Sequence, residues 1–266
     1  MGLRTLLGLR PQGFFIPYRH AASVEPRDYP ALEPLFAAAA PRMRELLAAI
    51  ARHLPEMRRF AGGPPAPRFD QDWFPRLDAA AAYAIVRRLR PGRIVEIGSG
   101  HSTRFMARAV ADGGLDTAIT CIDPAPRAAL AGLPVRHLKA LLADADPGEI
   151  AGLAAGDVLF VDSSHLAMPG TDVDQLLGDL LPRLAAGVVV HIHDIFLPDA
   201  YPPAWTWRGY AEQLPVACLV QGGGYDILHA SRWLVSRHPE WLAQAGLDTL
   251  PLPEGAFETS LWLVKR

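Results

Sequence analysis

The chain has 266 residues, half of them hydrophobic and a fifth charged, which describes a globular protein long enough for one large α/β domain plus an extension. A formal net charge of -2 leaves no global basic field to attract nucleic acid. Two cysteines, Cys121 and Cys218, give neither a disulfide framework nor a CxxC metal knuckle, so a reducing cytosol is the simplest compartment.

The first thirty residues are irregular, punctuated by Pro11, Pro17, Pro26 and Pro30. The apolar run between Arg4 and Arg10 is too short for a secretory signal, and no apolar run approaches the ~20 residues of a membrane span. The segment therefore reads as an arm packing on the domain. Leu32, Leu35, Phe36, Met43, Leu46, Leu47 and Ile50 recur at helical spacing, interrupted by Pro41, and predict one or two helices over 31–60. The A-G-G-P-P-A-P stretch ending at Pro67 is the best linker, which divides the chain into an arm and helical extension over 1–67 and a main domain over 68–266. Asp78 to Leu89 follows as a helix, with Tyr83, Ile85 and Val86 on its apolar face.

Arg93 to Thr103, R-I-V-E-I-G-S-G-H-S-T, then supplies a short β-branched run closed by Gly98 and Gly100, with a helix expected from Arg104 capped by Ser102 or Thr103. A strand, a glycine turn and a helix can form a nucleotide-cofactor cradle at the carboxyl end of a parallel strand. A dinucleotide fingerprint would want a third glycine where Thr103 stands. Glu96, at the strand's tip, would oppose a pyrophosphate but would suit a cation such as the amino group of S-adenosylmethionine. The alternative is an ordinary strand–turn–helix with no ligand.

Strands are next expected over 118–122, 135–138, 157–161 and 187–192, with a helix over 172–184 capped by Thr171. Strands alternating with helices predict a parallel sheet covered on both faces. A broken helix over 207–220, a strand at 225–228 and a last strand at 260–264 follow; the two late strands suit an edge hairpin with one strand antiparallel.

The expected parallel strands end in polar residues at their carboxyl tips: Glu96, Asp123, Asp162, His193 and Asp194. Ligands of open α/β sheets bind at that edge. Asp123 stands where an acid grips a ribose hydroxyl pair, or else caps the loop before Pro124. Asp162-Ser163-Ser164-His165 and His191-Ile192-His193-Asp194 should be neighbours if their strands adjoin. His165 suits a general base, its free imidazole being half-poised at a pKa near ~6.5. Asp162, His193 and Asp194 could hold magnesium or another divalent metal; otherwise His191 hydrogen-bonds in the core and Asp194 caps a turn. The loop F-L-P-D-A-Y-P-P-A-W-T-W beside them could wall an acceptor pocket, act as a lid, or be a packed surface loop.

Taken together, E-I-G-S-G-H-S-T, V-D-S-S-H with G-T-D-V, and L-P-R-L-A-A-G-V-V-V-H-I-H-D-I-F resemble the class I S-adenosylmethionine-dependent methyltransferases, and within them the family often called methyltransferase family 24. R-F-D-Q-D-W-F-P-R-L-D and G-F-F-I-P-Y-R-H belong to the same resemblance. It implies a Rossmann-like three-layer sandwich, with a seven-stranded, mostly parallel sheet whose last strand is antiparallel. It also implies S-adenosylmethionine on Glu96, Gly98, Ser99, Gly100, His101, Ser102, Thr103, Asp123 and Asp162. In more distantly similar macrolide-sugar O-methyltransferases the D-x-x-H pattern supplies a metal ligand and a base, matching Asp162 and His165; their second metal element is an acidic pair, where this chain has His193-Asp194.

The expected reaction is O-methylation of a small-molecule hydroxyl, on a sugar or natural product, with His165 as base and Asp162 and Asp194 on a metal. Arginine and lysine are sparse at the strand tips, which disfavours a phosphorylated acceptor. A nicotinamide-dependent oxidoreductase and a non-catalytic cofactor-binding accessory subunit are the alternatives. The expected partner is a small-molecule acceptor rather than nucleic acid, with a homo-oligomer through the N-terminal extension as a further possibility.

Overall fold

The structure, a computed structural model, describes residues 2–14 and 16–266. Met1 lies outside the described residues, as does Phe15, which belongs to the G-F-F-I-P-Y-R-H motif. Among the described residues there are seven short strands, the central ones rich in apolar and β-branched residues. They are β1 (Arg93–Ile97), β2 (Ala118–Ile122), β3 (Arg136–Leu138), β4 (Val158–Val161), β5 (Val189–Ile192), β6 (Tyr225–Ala230) and β7 (Leu261–Lys265). They form one sheet in the order β3-β2-β1-β4-β5-β7-β6. Only β7 runs antiparallel to its neighbours, pairing Val189 with Val264 on one side and Tyr225 with Lys265 on the other. The sheet is the Rossmann-like arrangement expected.

The helices are α1 (Gly2–Leu6), α2 (Glu33–Met57), α3 (Arg76–Leu89), α4 (His101–Asp112), α5 (Gly148–Ala151), α6 (Asp172–Gln175), α7 (Leu181–Arg183), α8 (Gln213–Gln221), α9 (Ser231–Arg237) and α10 (Pro239–Gln244). α2 runs unbroken through Pro41 and Pro55. A proline inside a helix costs roughly 3 kcal/mol. Here burial of Phe36, Met43, Leu46, Ile50 and Leu54 along one face offsets it. These side chains join the same hydrophobic cluster as the strands, so the core continues across the linker at 61–67. The helix expected over 172–184 is interrupted by a π turn at Leu176–Leu180. Pro182 has no N–H to give the Gly178 carbonyl, which favours such local widening. Among the described residues no helix is long and apolar enough to cross a membrane.

The chain order of the strands reverses between β1 and β4. A crevice opens outside the carboxyl ends of strands at such a switch point. The register brings those ends level: the Gly98 N–H donates to the Ile122 carbonyl, the Asp162 N–H to Ile97 and the His193 N–H to Val161, at 3.1, 2.8 and 2.9 Å.

Candidate active site

A cavity of about 470 Å³ occupies this switch point, within the range typical of small-molecule sites. Gly98, Ser99, Asp123 and Asp162 line it. Gly98 has φ +74°, and a Cβ there would lie 1.8 Å from the Asp162 carbonyl oxygen, so only glycine lets the β1 and β4 turns meet. Gly100 is extended at φ 171° and its Cβ would have room; no comparable constraint applies.

Asp123 ends β2 with its carboxylate built into the turn. Oδ2 accepts from the Ser99 N–H at 2.6 Å and the Ser99 hydroxyl at 2.9 Å, and Oδ1 accepts from the Ala125 N–H at 2.7 Å. A carboxylate has about four acceptor positions, so one remains for a ligand hydroxyl. Arg127, four residues on, is the only cation lining the cavity among the described residues. Its guanidinium lies 4.7 Å from the Trp73 ring centroid, and Arg104 anchors the loop beyond it by donating to the Ala129 carbonyl at 3.0 Å.

Glu96 does not face this cavity. It is fully buried, and its two oxygens accept from the Ser102 and Thr103 hydroxyls at 2.5 Å each. Thr103 Oγ1 also accepts from the Gly100 N–H at 3.0 Å, so Glu96 braces the glycine turn from behind. Burial pushes its pKa up to about 7, despite hydrogen bonds from Ser102, Thr103 and Cys121 that favour the charged form. Neither Ser102 nor Thr103 is the N-cap of α4, because the helix already starts at His101 behind Gly100; Thr103 instead closes the first turn by accepting the Gly100 N–H. Gly100, His101, Ser102 and Thr103 are likewise absent from the cavity lining.

Strands β4 and β5 are neighbours, as their shared tips required. The Asp162–His165 turn is fixed by Asp172, which accepts hydrogen bonds from the Ser164 N–H and hydroxyl. His165 sits in the left-handed region at φ 60° and is 1% exposed. Its carbonyl accepts from the N–H groups of Ala211 and Glu212 at 2.9 and 3.2 Å, tying the start of α8 to the turn. The imidazole meets three carboxylates: Nδ1 is 2.8 Å from Glu212, and Nε2 is 3.2 Å from Asp162 and 3.5 Å from Asp194. Burial alone would lower its pKa. Hydrogen bonds to Asp162 and Glu212 and the charges of Glu212 and Asp194 outweigh burial and hold the pKa well above 6.5. The half-titrated imidazole expected from the sequence is instead mostly imidazolium at neutral pH. For Asp162, burial is outweighed by the charge on His193 and the hydrogen bond from His165, and its pKa lies below the ordinary 3.8.

The expected metal ligands Asp162, His193 and Asp194 do not make a coordination set. His193 Nε2 lies 3.1 Å from the Trp73 carbonyl and must donate to it. Asp162 and Asp194 converge on His165, whose imidazolium stands where a cation would. Among the described residues no group of three or more His, Cys, Asp or Glu side chains is arranged to hold a metal ion. His191 is a core residue, 2.9 Å from Ser260 Oγ and stacked on Phe160 at 3.7 Å.

Residues 95–195, which span β1 to the end of β5, match the family model described as a methyltransferase domain. Over those residues the chain is similar to a methyltransferase domain. No curated protein matches the chain. Solved structures similar to it include the methyltransferase PaMTH1 of Podospora anserina bound to S-adenosylhomocysteine, at 17% identity over 96% of this chain and 100% of that one, with a TM-score of 0.42. An O-methyltransferase from Bacillus cereus, also with S-adenosylhomocysteine, is 13% identical over 85% and 91% of the two chains at a TM-score of 0.44. The magnesium and S-adenosylmethionine complex of cmcI is 13% identical over 80% and 84%, also at 0.44.

Sequence reasoning missed two polar residues of the candidate site. Glu212 is 47 residues from His165 in a stretch with no motif, and only the fold joins them. Arg127 follows Asp123 closely enough to have been a candidate, but it stands in the loop beyond the strand tip.

Proposed function

We propose that this is a class I S-adenosylmethionine-dependent O-methyltransferase acting on a small-molecule hydroxyl. One observation carries the reading: the cavity at the β1–β4 switch point has Asp123 at one side and, at the other, Asp162, whose carboxylate lies 3.2 Å from the buried His165 imidazole. Three carboxylates there face one imidazolium and His193, and an excess of negative charge suits a sulfonium ligand. Residues 68–266 carry the reaction, and 1–67 form the arm and helical extension.

When bound, the donor supplies an electrophilic sulfonium methyl, which the acceptor oxygen takes as sulfur leaves as a neutral thioether. Asp123 takes the ribose hydroxyls, with the Gly98-Ser99 backbone beneath. Arg127 takes the donor's carboxylate. Glu212 holds the proton on Nδ1 of His165, which leaves Nε2 to receive the acceptor's proton. Asp162 and Asp194 stabilise the imidazolium that results. Most of the rate enhancement comes from holding donor and acceptor in line, an effect worth up to ~7–11 kcal/mol.

Calorimetry tests the donor site. S-adenosylhomocysteine should bind the wild type, and Asp123→Ala should weaken it by about 10–100-fold, the value of hydrogen bonds to a charged group. Equal affinity in the two proteins removes Asp123 from the site. Thermal stabilisation by NADH and none by S-adenosylhomocysteine replaces the methyltransferase reading with an oxidoreductase.

A further inference from the structure

The N-terminal arm, expected from the sequence to pack on the domain, instead lies open. From Leu3 to Asp28 every described residue except Thr5 and Gln12 is exposed. Leu3 is 74% exposed, and Leu6, Leu7, Leu9, Phe14 and Ile16 are each more than half exposed. A helix of five residues, the length of α1, is marginal in water without a surface to bury its apolar side chains against. α1 is tied to its own chain, the Gln12 N–H donating to the Thr5 hydroxyl at 2.9 Å.

The arm joins the main domain at its far end. There the Tyr29 N–H donates to the Pro198 carbonyl at 2.7 Å and the Ala200 N–H to Asp28 at 2.8 Å. Tyr18 and Val24 of the arm share the lining of a cavity of about 680 Å³ with Trp205, Thr206 and Leu214. Trp207, next in the chain to Thr206, is 81% exposed, and Leu214 is more than half exposed. Arm and aromatic loop thus expose apolar side chains beside one another. Contiguous apolar exposure of this kind marks a docking surface.

The charge on this face has one sign. Gly2 to Val24 contain Arg4, Arg10 and Arg19 and no Asp or Glu, in a chain whose formal net charge is -2. Glu25 and Asp28 enter at the attached end, with Arg27 between them. Arg208 adds a cation 5.4 Å from the Trp207 ring centroid.

We propose that this face docks on the surface of an anionic lipid bilayer. Its leucines, phenylalanine and isoleucine leave water for the acyl boundary, while arginine lays its stem along that boundary and keeps its guanidinium among the phosphates. Tyr18 and Trp207 suit headgroup depth, where one end of the ring is apolar and the other wet. An arm-to-arm dimer would satisfy the apolar side chains but would set arginine against arginine. The cavity at the β1–β4 switch point shares no lining residue with this face, so docking does not use the residues of the candidate active site.

Co-sedimentation of the full chain with vesicles tests this. Phosphatidylcholine vesicles containing phosphatidylglycerol should bind about ten-fold more tightly, or better, than phosphatidylcholine alone. Raising the salt from about 0.1 to 0.5 M should remove that preference. Each arginine near an anionic surface is worth roughly five-fold, so Arg4→Gln, Arg10→Gln and Arg19→Gln combined should weaken binding about 100-fold. Leu3→Ser with Leu6→Ser should weaken it about ten-fold and Trp207→Ala about three-fold. These side chains are exposed, so the unfolding midpoint should not move. Absence of binding to the phosphatidylglycerol vesicles, equal binding to both kinds, or undiminished binding in any of the three variants overturns the proposal. A dimer that the leucine variant abolishes, without vesicle binding, gives the face to a second copy of the chain instead.

Discussion

Two buried carboxylates at adjacent strand ends behave in opposite ways. Glu96 at the tip of β1 has a hydroxyl for each oxygen, lies under α4, and is pushed by burial toward its neutral form. Asp162, just past β4, lines the cavity and shares His165 with Asp194, while Glu212 holds the other nitrogen. The first corner is closed and internally satisfied. The second concentrates charge and keeps two non-glycine residues, His165 and Asp194, in the left-handed region at φ 60° and 56°. Strained backbone and unbalanced charge cost stability, and they persist where the surrounding structure holds them for a function. In this chain a polar residue at a strand tip is therefore a buried brace in one place and a member of a charged cluster in the next.

Removing the imidazole should produce the largest contrast. His165→Ala is expected to lower kcat by about 10²–10⁴-fold, the range for loss of a general base, with S-adenosylhomocysteine affinity unchanged. In the wild type His165 must lose its proton before it can accept one. Because its pKa lies well above 6.5, kcat/KM should rise with pH through a midpoint above that value. Glu212→Gln removes one of the charges that hold the proton, so the midpoint should move down. A pH profile that is flat, or that Glu212→Gln leaves in place, takes the base role away from His165.

Arg127 gives a smaller effect on the same side of the comparison. Loss of a charge-assisted contact in Arg127→Ala should weaken S-adenosylhomocysteine about ten-fold. Methylthioadenosine, which lacks the amino-acid end, should bind both proteins equally. If both ligands weaken together, Arg127 supports the pocket as a whole and does not clamp the carboxylate.

The alternation of apolar runs with helical spacing made the sheet and most of its helices readable, because β1, β2, β4 and β5 are buried on both faces and tolerate little else. The meeting of Asp162 with Asp194 was readable too, since it needs only that β4 and β5 adjoin. Which way a tip residue points was not. Glu96 and Asp123 carry the same signal in sequence, and only the packing of α4 over Glu96 separates their roles. Glu212 was illegible because its partnership spans 47 residues and depends on two hydrogen bonds from the start of α8 to the His165 carbonyl. The π turn was hidden because hydrophobic spacing hardly changes across five residues.

The smallest expected effect on activity belongs to Glu96, and its signature is in stability. In the unfolded chain its pKa is near 4.5, and in the fold it rises to about 7. Below pH 4.5 the group is protonated in both states and adds no penalty. As pH rises toward 7 the unfolded chain releases a proton that the folded one retains, so this group's contribution to stability falls, and above 7 the fold bears the full cost of a buried charge. A shift of this size corresponds to a change on the order of 3 kcal/mol across the window. Glu96→Gln cannot ionise and lacks the effect. Measured by thermal unfolding, the variant should gain on the wild type between pH 4.5 and 7.5 while binding S-adenosylhomocysteine equally well. Parallel stability profiles would mean that Glu96 is already charged in the fold. A ten-fold loss of affinity in the variant would return it to the donor's amino group, where the sequence alone had placed it.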